Sequence, residues 1–132
     1  MNNFQIKSYS KINLSLRVTK KLKNGYHNIA SLITFSNLHD NISITKIKKY
    51  KDNITFSGKF KRGINKKKNT VTKVLKILRK EDLLKSEFYK INIKKNIPHG
   101  SGLGGGSSNA ADLLNYFYRK IKLKISKKRK II

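Results

Sequence analysis

Apolar and polar residues alternate with a period of two along several stretches of the chain, which is typical of strands with one buried face. The clearest stretch is residues 12–18, where four aliphatic side chains alternate with asparagine, serine and arginine. We therefore predict a half-buried strand there. Four further strands are predicted over residues 29–35, 42–47, 54–56 (the weakest pattern) and 89–93. Asn24-Gly25, between the first two strands, is a strong signal for a turn.

Two other stretches have the helical period. In the first, four aliphatic residues fall at positions i, i+3, i+4 and i+7 (Val71, Val74, Leu75 and Leu78), and Asn69 or Thr70 precedes them as a candidate cap. The second has an apolar face formed by Ala110, Ala111, Leu113, Leu114 and Phe117. Strands combined with two helices that must cover one face of a sheet predict an α+β fold.

A glycine-rich segment, residues 98–108, joins the last predicted strand to the second helix. We call it the glycine loop, and it consists of Pro98, His99, Gly100, Ser101, Gly102, Leu103, Gly104, Gly105, Gly106, Ser107 and Ser108. Glycine lets backbone N–H groups approach a ligand with no Cβ in the way. Free amides at the positive end of a helix form an anion site, and phosphate is the usual anion. We therefore predict that the glycine loop binds the phosphates of a nucleotide.

Two common phosphate-binding motifs do not fit the glycine loop. A Walker loop needs a lysine directly after its last glycine, and this chain has none there. The spacing of Gly100, Gly102 and Gly105 matches the dinucleotide motif G-x-G-x-x-G, but that motif expects an acidic residue about 20 positions later. The chain has no acidic residue after Asp112. A flexible linker is the remaining alternative, although linkers seldom lie between a strand and a capped helix.

The glycine loop, with Asn109-Ala110-Ala111 after it, resembles the ATP-binding loop of the GHMP kinases, the superfamily of galactokinase, homoserine kinase and mevalonate kinase. Two shorter segments narrow the resemblance to the 4-diphosphocytidyl-2-C-methyl-D-erythritol kinase family. Residues 10–14, Ser-Lys-Ile-Asn-Leu, are similar to its A-K-[ILV]-N-L strand, and residues 24–27, Asn-Gly-Tyr-His, to its D-G-Y-H segment. The resemblance implies the N-terminal portion of such a kinase over residues 1–132, with a mixed sheet and helices packed on one face.

The resemblance also implies roles for individual residues. Lys11 would be catalytic and polarise the acceptor hydroxyl, while the glycine loop would bind ATP, with Mg²⁺ as the accompanying ion. Ser107 and Ser108 would contact phosphate or Mg²⁺, or simply cap the second helix. Asn13 would contact the substrate, and Tyr26 and His27 would hold its cytidine end. Lys95, just before the loop, either faces the nucleotide or is one more solvated lysine.

The implied reaction is transfer of the γ-phosphate of ATP to the 2-hydroxyl of 4-diphosphocytidyl-2-C-methyl-D-erythritol, in isoprenoid-precursor synthesis. The catalytic aspartate of the family lies in a G-[AS]-D-V-P segment after the second helix, and the 132 residues contain no such segment. Asp40 and Asp112 match other segments, so neither is expected to be the base. We therefore expect little or no turnover from these residues alone. Another GHMP kinase of the homoserine or mevalonate type, or a non-catalytic nucleotide- or RNA-binding remnant, remains an alternative.

The positive charge of the chain does not by itself indicate nucleic acid. The formal net charge is +26, but it comes from 27 lysines and only 5 arginines, spread along the chain. Arginine is the bidentate reader of phosphates and guanines, and no RNA-binding aromatic motif or Cys/His finger is present. We expect a small-molecule partner, with residues 120–130 as the one basic run suited to a nucleic-acid tail. The charge would also attract ATP over long range.

The remaining composition excludes several classes of protein. The chain has no cysteine and only three scattered histidines, so no disulfide framework and no histidine or cysteine metal site is expected. No apolar run approaches the length of a membrane span, and the N-terminus lacks a secretory signal. We expect a cytoplasmic, single-domain protein that does not enter a membrane. The sequence does not indicate an oligomeric state.

Overall fold

One four-stranded sheet and two helices make up the part of the chain that the computed structural model describes, residues 2–120. The elements are β1 (Asn3–Lys21), β2 (His27–Ile47), β3 (Asn53–Ser57), α1 (Thr70–Lys80), β4 (Phe88–Lys94) and α2 (Gly105–Lys120). The strand order is β1-β2-β4-β3, in which β3 and β4 are parallel and the other two pairs are antiparallel. The prediction of an α+β fold with a mixed sheet is confirmed.

Both helices pack on one face of the sheet, as predicted. Alternate residues of β2 and β4 point into the core, among them Ile42, Ile91 and Ile93, each of which is fully buried. The predicted apolar faces of α1 and α2 cover them, and Leu78 and Phe117 are also fully buried. Burying one such side chain stabilises the fold by about 1.5–3 kcal/mol. Because β4 and α2 are both core elements, the glycine loop between them is fixed at both ends.

The outer half of the β1–β2 hairpin extends beyond the helices. Its tip is the predicted turn, where Gly25 has a φ of +84° and the Asn24 side chain accepts the N–H of Tyr26 at 3.1 Å. Leu14, Leu16 and Val18 are 60%, 59% and 60% exposed, so the prediction of a half-buried strand was wrong. Alternation correctly predicted the strand, but it cannot show whether another element covers its apolar face.

β2 is a single strand where the sequence predicted two. The two predicted strands, residues 29–35 and 42–47, leave residues 36–41 between them, where Leu38 is the only apolar side chain. The pairing instead continues through a bulge, because Tyr9 pairs with His39 whereas Lys11 pairs with Phe35. One residue of β1 therefore lies opposite three residues of β2 at this point. Bulges bend a strand and redirect its side chains, and this one lies directly beside Lys11.

The N-termini of the two helices were predicted with different success. Asn69 caps α1 as predicted, since its side chain accepts the N–H of Thr72 at 2.9 Å. α2 begins at Gly105, earlier than its serines suggested, and the N–H of Ser108 donates to the Gly104 carbonyl at 2.9 Å. Ser107 and Ser108 therefore lie inside the first turn, and the interpretation of these serines as caps was wrong. The helix can start at Gly105 because glycine has no Cβ, which here would lie 3.1 Å from Ile97 Cγ2.

Gly58, just after β3, is expected to be essential for the stability of the fold. Its φ is +89°, and a Cβ there would lie 2.7 Å from the backbone oxygen and 2.8 Å from the backbone nitrogen of Lys95. We expect Gly58→Ala to lower the free energy of unfolding by about 2–4 kcal/mol, from left-handed strain plus this backbone clash. Gly63→Ala is the matched control, because Gly63 has a φ of +81° but open space around it. Urea unfolding should show a clearly smaller loss for the control, and equal losses would contradict this explanation.

The two helices are short. α1 has 11 residues and α2 has 16, and within residues 2–120 neither is long and apolar enough to cross a membrane. The basic run at residues 120–130, which would suit a nucleic-acid tail, lies outside the described residues from position 121 onward.

Candidate functional site

The glycine loop has a left-handed backbone at every second position from 100 to 104. Gly100, Gly102 and Gly104 have φ values of +71°, +77° and +68°. Residues with a side chain rarely adopt this region of φ, so the conformation requires glycine. Gly105 and Gly106 have a different role, because they form the start of α2, where a Cβ on Gly105 would lie 3.1 Å from Ile97 Cγ2. Three glycines therefore shape the loop, and Gly105 lets the helix approach Ile97.

Two helix N-termini meet at the glycine loop. The hydroxyl of Thr70, the first residue of α1, donates to the carbonyl of Gly106 in the first turn of α2 at 2.8 Å. Neither helix has an acidic residue in its first turn. The start of a helix carries unpaired N–H groups and a partial positive charge. The convergence of two such ends makes a site for an anion, and the contribution of α1 was not predicted from the sequence.

A cavity of about 490 Å³ lies between these two helix starts, and we call it the loop cavity. Phe56 and Ile64 give it an apolar wall. Several polar and basic residues that were not predicted to belong to a site also line it, namely Asn65, Lys68, Asn69, Thr70 and Lys73. An apolar wall beside a few convergent polar groups is typical of a ligand pocket. The cavity therefore suits a nucleotide whose base contacts the wall and whose phosphates lie at the helix starts.

Lys11 contacts the glycine loop from the side of β1. Its backbone N–H donates to the carbonyl of Leu103 at 2.8 Å, so the loop is bonded to the free edge of the strand. Its side chain passes Gly104, with Cβ and Cε each 3.7 Å from the place that a Cβ of Gly104 would occupy. The structure therefore brings the predicted catalytic lysine to the predicted phosphate loop, although the two are far apart in the sequence.

A second cavity, of about 540 Å³, lies on the Lys11 side of α2, and we call it the lysine cavity. Gly104 and Ser107 line both cavities, so the N-terminus of α2 separates them. Asp112 also lines the lysine cavity, and burial raises the pKa of its carboxyl group. With Lys7 and Lys11 beside it, this cavity has an excess of positive charge. A phosphate bound at the start of α2 would be accessible from both sides.

Mg²⁺ is implied by the resemblance, and the residues present fit it only as an ion that is bound together with ATP. Within residues 2–120, no three histidine, aspartate or glutamate side chains gather in one place. Mg²⁺ usually keeps several waters and takes phosphate oxygens of its substrate, with only one or two protein ligands. The hydroxyls of Ser107 and Ser108, in the first turn of α2, are among the protein oxygens that the site offers. The site therefore suits a metal bound mainly by the nucleotide.

The predicted substrate residues lie farther from the glycine loop. Asn13 is on the same face of β1 as Lys11, because the two are two residues apart with no bulge between them. Tyr26 and His27 lie at the hairpin tip, where Tyr26 is 72% exposed. Two further register shifts of the β1–β2 pairing lie between Lys11 and this tip, so the hairpin is not a straight ribbon. Asn13, Tyr26 and His27 line neither the loop cavity nor the lysine cavity, and their role in substrate binding stays a prediction.

Lys95 is not a solvated lysine. It is only 4% exposed and forms an ion pair with the fully buried Asp40. It also lines the loop cavity. The sequence could not distinguish it from the many other lysines, because burial of a charged side chain depends on a partner that is remote in the sequence.

Known proteins are similar to this chain in sequence. Residues 69–132 match the family model of the GHMP kinases N terminal domain. The chain is 50% identical over 127 residues to the 4-diphosphocytidyl-2-C-methyl-D-erythritol kinase of Pelagibacter ubique. This alignment covers 96% of this chain and 44% of that protein. It is 38% identical over 130 residues to the kinase of the same name from Pseudothermotoga lettingae. That alignment covers 90% of this chain and 42% of that protein.

The fold is also similar to that of a solved structure. A crystal structure of 4-(cytidine 5'-diphospho)-2C-methyl-D-erythritol kinase superimposes with a TM-score of 0.73 over 97% of this chain and 44% of the other, at 23% sequence identity. At this level of identity the likeness concerns the fold. The chain spans less than half the length of each of these three proteins.

Proposed function

We propose that this chain, which carries the N-terminal domain of the GHMP kinases, forms the ATP-binding half of a 4-diphosphocytidyl-2-C-methyl-D-erythritol kinase. The names of the two relatives support this substrate. The structural observation that carries the proposal is the position of the α2 N-terminus between the loop cavity and the lysine cavity. A phosphoryl group transferred there would pass from a donor on one side to an acceptor on the other.

The glycine loop and the two helix starts would hold the triphosphate of ATP. The N–H groups of α2 that precede the bond from Ser108 to Gly104 have no partner within the helix. The left-handed glycines allow the loop backbone to approach the phosphates. Lys68 and Lys73, which line the same cavity, add positive charge. Phosphoryl transfer depends mainly on positioning and charge stabilisation, and both would come from this fixed set of donors. Mg²⁺, when bound, would supply further neutralisation of the phosphates beside Ser107 and Ser108.

Lys11 would act on the acceptor side. Its ammonium group can donate hydrogen bonds to the acceptor hydroxyl and to the phosphoryl oxygens as negative charge develops on them. The bond from its backbone to Leu103 and its packing on Gly104 hold it at a fixed distance from the loop. The aspartate base that the resemblance implies has no counterpart among residues 2–120. Tyr26 and His27 would hold the cytidine end of the substrate at the other end of the hairpin.

A chimera tests the proposed activity. The matched segment of this chain replaces its counterpart in the full-length Pelagibacter ubique kinase, and the unaltered kinase serves as the positive control. We expect ATP-dependent phosphorylation of 4-diphosphocytidyl-2-C-methyl-D-erythritol, detected as release of ADP and formation of the phosphorylated product. We expect the uridine analogue of the substrate to react at least about tenfold more slowly, because a wrong base leaves buried polar groups unpaired.

Homoserine and mevalonate are the control acceptors for the same chimera. Efficient phosphorylation of either one would favour another GHMP kinase and overturn the assigned substrate. A folded chimera that neither binds ATP nor transfers phosphate, while the parent kinase is active, would favour the non-catalytic remnant.

A further inference from the structure

A buried ion pair lies at the base of the glycine loop. Asp40 of β2 is fully buried, and Lys95, the residue after β4, is the only buried lysine in the part of the chain that the structure describes. Burial of a carboxylate and an ammonium group is unfavourable unless both are paired and well hydrogen-bonded. A pair retained in this position therefore needs an explanation from its surroundings.

The Asp40 carboxylate accepts hydrogen bonds from both ends of the glycine loop. Its Oδ1 accepts the N–H groups of Asn96 and Ile97 at 2.7 Å and 2.9 Å. Its Oδ2 accepts from Lys95 Nζ and, at 3.1 Å, from Asn109 Nδ2. Asn96 and Ile97 directly precede the loop, and Asn109 directly follows it. One carboxylate therefore ties the entry of the loop, its exit into α2 and strand β2 together.

Two of the side chains bonded to Asp40 also reach the loop cavity. Lys95 and Asn109 both line it, and a Cβ on Gly105 would lie 3.4 Å from Lys95 Nζ. Asn109 is 2% exposed, and its Oδ1 has no hydrogen-bond partner among the described residues, because Asp40 orients the amide through Nδ2. The charge of Lys95 also offsets that of Asp40, which would otherwise repel an anion bound at the start of α2.

We propose that Asp40 is a positioning residue for nucleotide binding. Its carboxylate fixes the spacing between the loop entry and α2, so that the loop amides and the start of the helix face the same phosphate. This inference rests on the proposed function, since it takes the glycine loop to be the ATP site. Asp40 itself does not line the loop cavity, and it acts through Ile97, Lys95 and Asn109.

Asp40→Asn tests the role with little change of shape. The variant keeps an oxygen for the two backbone N–H groups, but it presents an amide NH₂ to Lys95 and Asn109, both of which are donors. We expect the Kd for Mg·ATP, measured by calorimetry on the 132-residue chain, to rise at least about tenfold at a temperature at which circular dichroism shows the variant folded. We also expect faster hydrogen exchange of the glycine-loop amides.

Asp52→Asn is the matched control. Asp52 accepts two hydrogen bonds from Arg79, at 2.9 Å and 2.8 Å, and one from the N–H of Tyr89 at 2.9 Å, so it also joins separate elements, although it is only partly buried. It does not line the loop cavity. We expect Asp52→Asn to lower the melting temperature while the Kd for Mg·ATP changes by less than about twofold, because substitutions at remote sites act independently.

The outcomes separate this inference from the proposed function. A wild-type chain that is folded but does not bind Mg·ATP would overturn the proposed function itself. Wild-type affinity in folded Asp40→Asn, or an equal loss of affinity in Asp52→Asn, would overturn only the positioning role. If Asp40→Asn does not fold, Asp40→Asn/Lys95→Met removes the unpaired buried ammonium. This double variant should still bind Mg·ATP at least about tenfold more weakly than wild type, and equal affinity would overturn the inference.

Discussion

Gly104→Val is expected to weaken ATP binding by about a hundredfold, which corresponds to about 2.7 kcal/mol of binding free energy. Gly104 has a φ of +68°, a region that a β-branched side chain resists, and it lies at the boundary between the two cavities. A valine there would strain the loop, crowd the Lys11 side chain 3.7 Å away and block the approach of a phosphate to the backbone. Calorimetric titration with Mg·ATP measures the change.

Gly25→Val is the control for backbone strain. Gly25 has a similar φ of +84°, but it lies at the hairpin tip with no heavy atom within 4 Å of an added Cβ. We expect it to reduce stability while leaving the Kd for Mg·ATP unchanged. If Gly104→Val binds ATP as tightly as the Gly25 variant does, the assignment of the phosphate site to this loop is wrong.

Lys11→Met is expected to lower kcat of the chimeric kinase by about 10²- to 10³-fold, the usual cost of removing one donor that stabilises developing charge. Methionine keeps the length and much of the packing against Gly104, so the loop should retain its conformation. We therefore expect the Kd for Mg·ATP to change by less than about threefold, because backbone amides and helix starts supply most of the phosphate binding. Steady-state kinetics and calorimetry on the same preparation separate the two effects.

Lys90→Met is the control for loss of a strand lysine. Lys90 is exposed on β4, and its neighbours Tyr89 and Ile91 point to the opposite, buried side of the sheet. We expect this variant to have wild-type kcat and Kd. A similar loss of kcat in both variants, or a Lys11 variant with full turnover, would remove Lys11 from the chemistry.

The elements that form the core were predictable from the sequence. The spacing of apolar residues in β4, α1 and α2 reflects the packing of these elements against each other. Each element lies where the spacing predicted it. The glycine loop was also predictable, because alternating left-handed positions require glycine and leave a clear mark in the sequence. The separate strands predicted over residues 29–35 and 42–47 are one strand, because a bulge interrupts the apolar alternation without ending the pairing.

The parts of the site that depend on remote contacts were not predictable. The start of α1 carries no glycine signature, and only the bond from Thr70 to Gly106 reveals that it converges on α2. Lys95 has the same local appearance as any other strand-end lysine, and its burial depends on Asp40, which belongs to a different strand. The burial of the outer hairpin was not predictable for the same reason. Alternation of apolar residues predicts a strand, but it does not show whether another element covers the apolar face.

Calorimetric titration of Mg·ATP into the wild-type 132-residue chain tests the central claim most directly. The chain is first checked for folding by circular dichroism, and hydrogen exchange is then recorded with and without nucleotide. We predict saturable binding at one site per chain, with slower exchange at the glycine-loop amides and at the first turns of α1 and α2. A folded chain that gives no saturable heat, or binding that protects only amides outside these segments, would contradict the assignment of the ATP site.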